Sequence, residues 1–448
     1  MLTAAAAQDC AHALVERARA AGADAADAVY GGGASDSVSV RLGKLEDVER
    51  SESEHVDLRV FVGARSASIG SSDLSADALR ELAERAVAMA RAAPEDRFAG
   101  LAPEDRLLSG AAPDLDIDDP ADPSPQALRE RAEAAEDAAR AVAGVTNSEG
   151  GSAGAGRNVF ALATSHGFVR GYAGTSHSLA ASVVAGAGGA MQRDYAWRSA
   201  HHAADLADPE SIGRLAGTRA VARLNPGRLT SGPMSVVFDP RVGDSLVGHL
   251  VGAMNGAAIA RGSSFLRDRG GQQVLARGIT IIDDPLRRRG LRSRPFDGEG
   301  LPTAQRELVS DGVLGEWLMD SAAARQLGRE PTGQAVRGGG GAPGAGASNL
   351  HLVAGTVSPA ALMADIADGV YVTELIGQGV NPVTGDYSRG AAGFRIVGGQ
   401  LAGPVAEFTI AGNLVDMFAQ MSAADDLEWH RAVNVPTLRV DGMTVAGD

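Results

Sequence analysis

Residues 371–416 read YVTELIGQGVNPVTGDYSRGAAGFRIVGGQLAGPVAEFTIAGNLVD, and the folding of this stretch decides the architecture of the second half of the chain. Tyr371 to Leu375 is a short run of β character. Glycines at 377, 379, 385, 390 and 393 then punctuate it, with Asn381-Pro382 and Gly385-Asp386 as turn signals. Phe394 to Val397, Gly398-Gly399 and Gln400-Leu401 spell a hairpin, because two glycines supply the positive φ pair of a tight turn. Ala406 to Ile410 adds a further strand. The expectation is an antiparallel meander carrying one long polar loop, Gln378 to Arg389. Loops of that kind on rigid sheets are where sites concentrate.

Upstream, Ser235 to Phe238 reads as a strand and Gly243 to Ile259 as a helical stretch. Before them, a helix over 208–223 runs into Asn225-Pro226-Gly227, a break that divides the chain into 1–224 and 225–448. The first part mixes both element types. An alanine-rich helix opens it over 1–22, with Cys10 on the apolar stripe. Strict alternation marks strands at Ser37–Leu42 and Val56–Phe61, and Ser75 and Ser124-Pro125 are helix starts. Further strands follow at Val159–Thr164 and Ser176–Ala185. The fold class is therefore α+β, an N-terminal mixed α/β domain followed by a mainly antiparallel β C-terminal domain.

At 448 residues the chain exceeds one ordinary core. Hydrophobic residues make up 44% and mean hydropathy is -0.05, which fits a globular protein able to bury a core. The net charge of -15 argues against a nucleic-acid partner, since phosphate affinity needs clustered cations. The arginine run 287–289, with Arg292 and Arg294, reads as a solvated loop, and the acidic run Asp114 to Asp119 as a connecting segment. Cys10 is the only cysteine, so no internal disulfide forms. No apolar run approaches the roughly 20 residues that span a bilayer, and a cytoplasmic protein without membrane contact is expected.

Several motifs carry a resemblance. TELIGQGVNPVTGDYSRGAAGF at 373–394 and EFTIAGNLVDMF at 407–418 closely resemble the TldD/TldE (PmbA) family of bacterial peptidase subunits. SSFLRDRGGQQV at 263–274, RPFDGEGLPTAQRELVSDGVL at 294–314 and TGQAVRGGG at 332–340 extend the match. The family's catalytic subunit bears His-Glu-x-x-x-His on a helix, where two imidazoles hold zinc and the carboxylate activates water. Here the corresponding positions are Val247, Gly248 and Gly252, so the resemblance is to the TldE branch and implies no catalytic residue and no metal ligand in this chain. None of the nine histidines opens such a motif elsewhere. Gly248, Gly252 and Gly256 instead make a bare helical face, which predicts close approach of another backbone within the domain or across a subunit interface.

The resemblance implies a non-catalytic subunit of a zinc metallopeptidase, paired as a heterodimer with a TldD-like subunit that supplies the zinc. Substrates would be peptides and unfolded polypeptides, in peptide-antibiotic maturation and antitoxin turnover. Gly385, Asp386, Tyr387, Ser388 and Arg389 are the candidates to line the substrate cavity, being a cluster of donors with one acid in a glycine-loosened loop. Peptide backbone could dock on an exposed strand edge. Alone, the chain could form a homodimer. The alternatives are an independent metallohydrolase with an unrecognised metal site and a regulatory binding protein of the gyrase-modulator type.

Overall fold

A computed structural model describes residues 1–338 and 341–447. Gly339 and Gly340 of the glycine-rich run, read from sequence as a flexible loop, lie outside the described residues, as does Asp448. The first half is one antiparallel sheet with helices on one face. Its strands are β1 (Ala25–Arg41), β2 (Lys44–Val62), β3 (Arg65–Ser71), β4 (Val145–Thr164), β5 (Val169–Ala185) and β6 (Gln192–Ala200), in the order β3-β2-β1-β4-β5-β6. The helices are α1 (Ala4–Ala20), α2 (Ala76–Ala92), α3 (Pro125–Arg140) and α4 (Pro209–Ala222). Thr3, Ser75, Ser124 and Asp208 cap them by accepting backbone N–H groups, and proline opens α3 and α4 where its missing donor costs nothing.

Strand alternation divides the labour of β1. Ala26, Ala28 and Tyr30 join the core beneath α1 and α2, and Val38 and Val40 join the one beneath α3 and α4. Val29 instead packs with Leu162, Phe168 and Phe296, so this sheet face is covered in part by the second half of the chain.

The second half contributes β7 (Gly232–Phe238), β8 (Ile281–Asp283), β9 (Arg306–Ser310), β10 (Val313–Leu314), β11 (Ala335–Val336), β12 (Gly344–Ala345), β13 (Leu350–Leu352), β14 (Asp368–Val380), β15 (Asp386–Val397), β16 (Gln400–Asn413), β17 (Met421–Ala423), β18 (Val433–Asn434) and β19 (Leu438–Ala446). Its helices are α5 (Pro240–Ala253), α6 (Gly256–Ala260), α7 (Ser321–Leu327), α8 (Pro359–Met363) and α9 (Leu414–Ala419). The main sheet runs β16-β15-β14-β7-β19-β17, and β16 also pairs with β19, so five of its strands close on themselves. Leu246, Val247 and Leu250 of α5 pack into the same core as Val236, Val372, Phe408 and Val440.

Two expectations are corrected. Gln378 to Arg389 is not a long loop: β14 continues to Val380 and β15 begins at Asp386, leaving a short turn between them. Gly379 there serves close strand packing, since a Cβ on it would lie 2.0 Å from the Ser388 carbonyl oxygen. The helical stretch 243–259 is interrupted: α5 ends at Ala253, and Asn255 caps the separate α6 by accepting from the Ala257 amide. The Gly398-Gly399 hairpin forms as expected, with φ of 55° and 78°. Among the described residues no helix is long and apolar enough to cross a membrane.

Candidate functional site

Helix α5 starts at the junction of the two halves. Asp239 accepts from the Arg241 amide at 2.9 Å and Pro240 takes the first helical position. Val247, at 1% exposure, is committed to the core. Gly248 and Gly252 are exposed, and a Cβ on either would meet no atom within 4 Å. These three positions offer no donor to a metal. Among the described residues no group of three or more His, Cys, Asp or Glu side chains is arranged to hold one. Among the described residues the bare face of α5 meets no neighbour, whereas Gly256 does: its Cβ would lie 2.9 Å from the Leu318 carbonyl oxygen.

Strand alternation splits the five cavity candidates. Gly385 makes the turn at φ 82°. Asp386 and Ser388 are exposed, and Asp386 is held by Thr384, whose hydroxyl donates to it at 2.6 Å. Tyr387 and Arg389 point the other way and are buried, at 2% and 8% exposure. The Tyr387 ring stands edge-on to His249, with centroids 6.1 Å apart. Among the described residues, neither the Tyr387 hydroxyl nor His249 Nε2 has a hydrogen-bond partner. Burial, and then the Arg389 charge, hold His249 below the usual imidazole range, while burial raises Tyr387.

Arg389 opens onto a cleft of about 330 Å³ whose walls include Arg193, Asp194, Arg223, Arg241 and Glu374. Asp194, 2% exposed, accepts from Arg241 at 2.8 Å and Arg223 at 3.5 Å, and Arg223 also pairs with Glu374. An adjoining hollow of about 240 Å³ shares Tyr195 and Arg241 and adds Arg198, Arg219, His430 and Arg431. Burial, reinforced by Arg198, Arg431 and Arg219, pushes His430 down to about 4. Burial raises Asp244 against the pull of Arg431, 2.9 Å away. Arg193, Asp194, Arg223 and Arg241 carry no local sequence signal: they come from β6, the end of α4 and the start of α5, and only the fold brings them to Glu374 and Arg389.

Comparison with known proteins follows the same elements. Family models described as PmbA/TldA metallopeptidase domain 1, central domain and C-terminal domain match residues 26–90, 118–224 and 231–447. The metalloprotease PmbA of Escherichia coli O157:H7 is 39% identical over 92% of this chain and 90% of its own length. A PmbA homologue from Haemophilus influenzae is 36% identical over the same shares. Among solved structures, a candidate modulator of DNA gyrase from Bacteroides thetaiotaomicron superposes with a TM-score of 0.90 at 26% identity, covering 98% of this chain and 99% of that one. TldE from Thermococcus kodakarensis superposes at 0.86 with 21% identity over 97% and 99%, a likeness of fold.

Proposed function

The chain belongs to the PmbA/TldA metallopeptidase family, and from that premise we propose that it is the non-catalytic subunit of a two-chain zinc peptidase. The observation that carries this reading is the side-chain content of α5. A buried valine and two exposed glycines stand at Val247, Gly248 and Gly252, where zinc chemistry needs two imidazoles and a carboxylate. The partner, a TldD-like subunit in a cytoplasmic heterodimer, supplies the zinc and the activated water. This chain shapes the enclosed space and holds peptide or unfolded polypeptide there. Its contribution is positional, through the cleft beside α5, since orienting a substrate lowers the barrier without any chemistry from the residues that hold it.

The test is cleavage of an unfolded peptide by this chain with zinc, by the TldD-like subunit alone, and by the two together. Cleavage confined to the mixture and abolished by a chelator is expected. Robust chelator-sensitive cleavage by this chain alone, free of contaminating peptidase, would overturn the reading.

A further inference from the structure

The cleft beside α5 holds more cation than its own carboxylates neutralise. Asp194 serves Arg223 and Arg241, Glu374 serves Arg223, and Asp244 serves Arg431. Arg389 has no such partner. It is nine-tenths buried, its Nε donates to the Ile376 carbonyl at 3.3 Å, and no carboxylate of the described residues lies within 4 Å. In the adjoining hollow, among the described residues, Arg219 and Arg198 donate only to backbone carbonyls, of Tyr195 at 3.3 Å and of Trp197 at 2.9 Å. Burial lowers the pKa of both. Guanidinium groups without a carboxylate partner in two adjoining concavities are costly, and in a chain of net charge -15 they are not a consequence of overall composition.

The backbone beside the cleft is not free to hold a peptide by strand addition. β6 is the sheet's edge, but the Tyr195 amide donates to Asp194 Oδ1 at 2.8 Å, and the Tyr195 and Trp197 carbonyls accept from Arg219 and Arg198. Recognition there falls to side chains. The walls also carry Val242 and Leu375, apolar side chains next to the charges that suit a residue side chain better than a bare inorganic anion. Glu374 and Asp244 on the same walls disfavour a densely charged dianion.

We propose that this cleft binds the C-terminal carboxylate of a peptide, with Arg389 as its direct partner through the paired geometry that guanidinium and carboxylate share. The assignment rests on the peptide-handling reading above and names the group that is held.

The test uses the full chain and rhodamine-labelled Gly-Ala-Val-Ala-Leu as free acid, as C-terminal amide, and as an amide ending in Glu, with binding followed by anisotropy at low salt. The free acid is expected to bind at least tenfold tighter than either amide. Arg389→Gln should abolish the difference and Arg389→Lys restore part of it, both checked for an unchanged thermal melt. The wild-type acid–amide comparison decides the matter even if a variant fails to fold. Equal binding of acid and amide, or no binding of any peptide, overturns the proposal. Tight binding of the glutamyl amide overturns the terminal assignment. None of these outcomes bears on partner-dependent cleavage, so failure here is distinguishable from failure of the subunit reading.

Discussion

Asp27 has no exposed surface, and arginines reach it from both halves of the chain: Arg59 from β2, and Arg337, whose Nη2 donates to Oδ2 at 2.8 Å. Burial alone would raise its pKa, but Arg337 and Arg59 outweigh it and the carboxyl falls to about 2. A depressed carboxylate stabilises the fold above its unfolded pKa, and that contribution is lost as pH falls through the folded value. Asp27→Asn should therefore cost about 3 kcal/mol or more at neutral pH, by leaving buried Arg337 without a carboxylate among the described residues and Arg59 with only Glu299, 3.9 Å away. The gap between variant and wild type should shrink by about 2 kcal/mol as pH drops from about 4 to about 2. Urea melts of both proteins across that range check it, and a gap that stays flat contradicts the assignment. His430 titrates in the opposite setting, neutral because burial and then three arginines disfavour its charge. Its imidazole resonances should move with a midpoint near 4 rather than near the ordinary 6.5, readable by NMR. Neither residue announces itself in the sequence: Arg337 is 310 positions from Asp27, and no local pattern links them.

At the scale of elements, α5 and α6 together set up a test with opposite signs. Gly248→Ala places a methyl group in open space and should stabilise the chain by up to about 1 kcal/mol through helix propensity. Gly256→Ala drives a methyl to 2.8 Å from Met319 Cγ and 2.9 Å from the Leu318 carbonyl, and should cost about 1–3 kcal/mol. Thermal melts of the two variants should move in opposite directions. Equal shifts would mean that Gly256 is not the packed position. From sequence the three glycines are indistinguishable, because four-residue spacing reveals a shared face but not where the helix breaks. The same ambiguity explains the stretch 378–389. Gly398-Gly399 was legible because a tight turn needs positive φ locally, and both glycines have it. Gly379, Gly390 and Gly393 have other reasons to be glycine: a Cβ on Gly393 would lie 1.9 Å from the Tyr371 carbonyl oxygen. A glycine that lets two strands approach reads, one residue at a time, like a glycine that loosens a loop. Alternation along the resulting strand then separates Tyr387 and Arg389 from Asp386 and Ser388, a distinction that a loop reading cannot contain.

Where the chain leaves α4, Asn225 adopts φ 57°, and for the whole molecule the fold class was legible. The docking of the halves was not. The arginine run at 287–289, read as a solvated loop, and the acidic run at 114–119, read as a connecting segment, meet: Arg289 Nε donates to Asp116 at 2.7 Å and its amide to the Leu115 carbonyl at 2.9 Å. Charge runs disclose their sign but not their partner, and exposed pairs of this kind contribute little individually. The stronger clamp is Arg325 on α7, which donates to the carbonyls of Phe98, Gly100 and Leu101 at 2.8, 2.9 and 3.0 Å. One guanidinium thus fixes the irregular segment after α2 against the second half, while Arg106 adds an exposed pair to Glu330 at 2.6 Å. Arg325→Ala removes three charge-assisted bonds from carbonyls that water can partly re-satisfy, a loss of about 2 kcal/mol in the free energy of local opening. When opening is fast relative to cleavage, proteolysis follows the open population. Tryptic cutting after Arg97 and Arg106 should therefore accelerate about tenfold or more under native conditions, with the global melt little changed. If the rate is unchanged, the segment is held by its apolar contacts, with Leu101 and Ala102 buried beside it, and Arg325 is not the clamp.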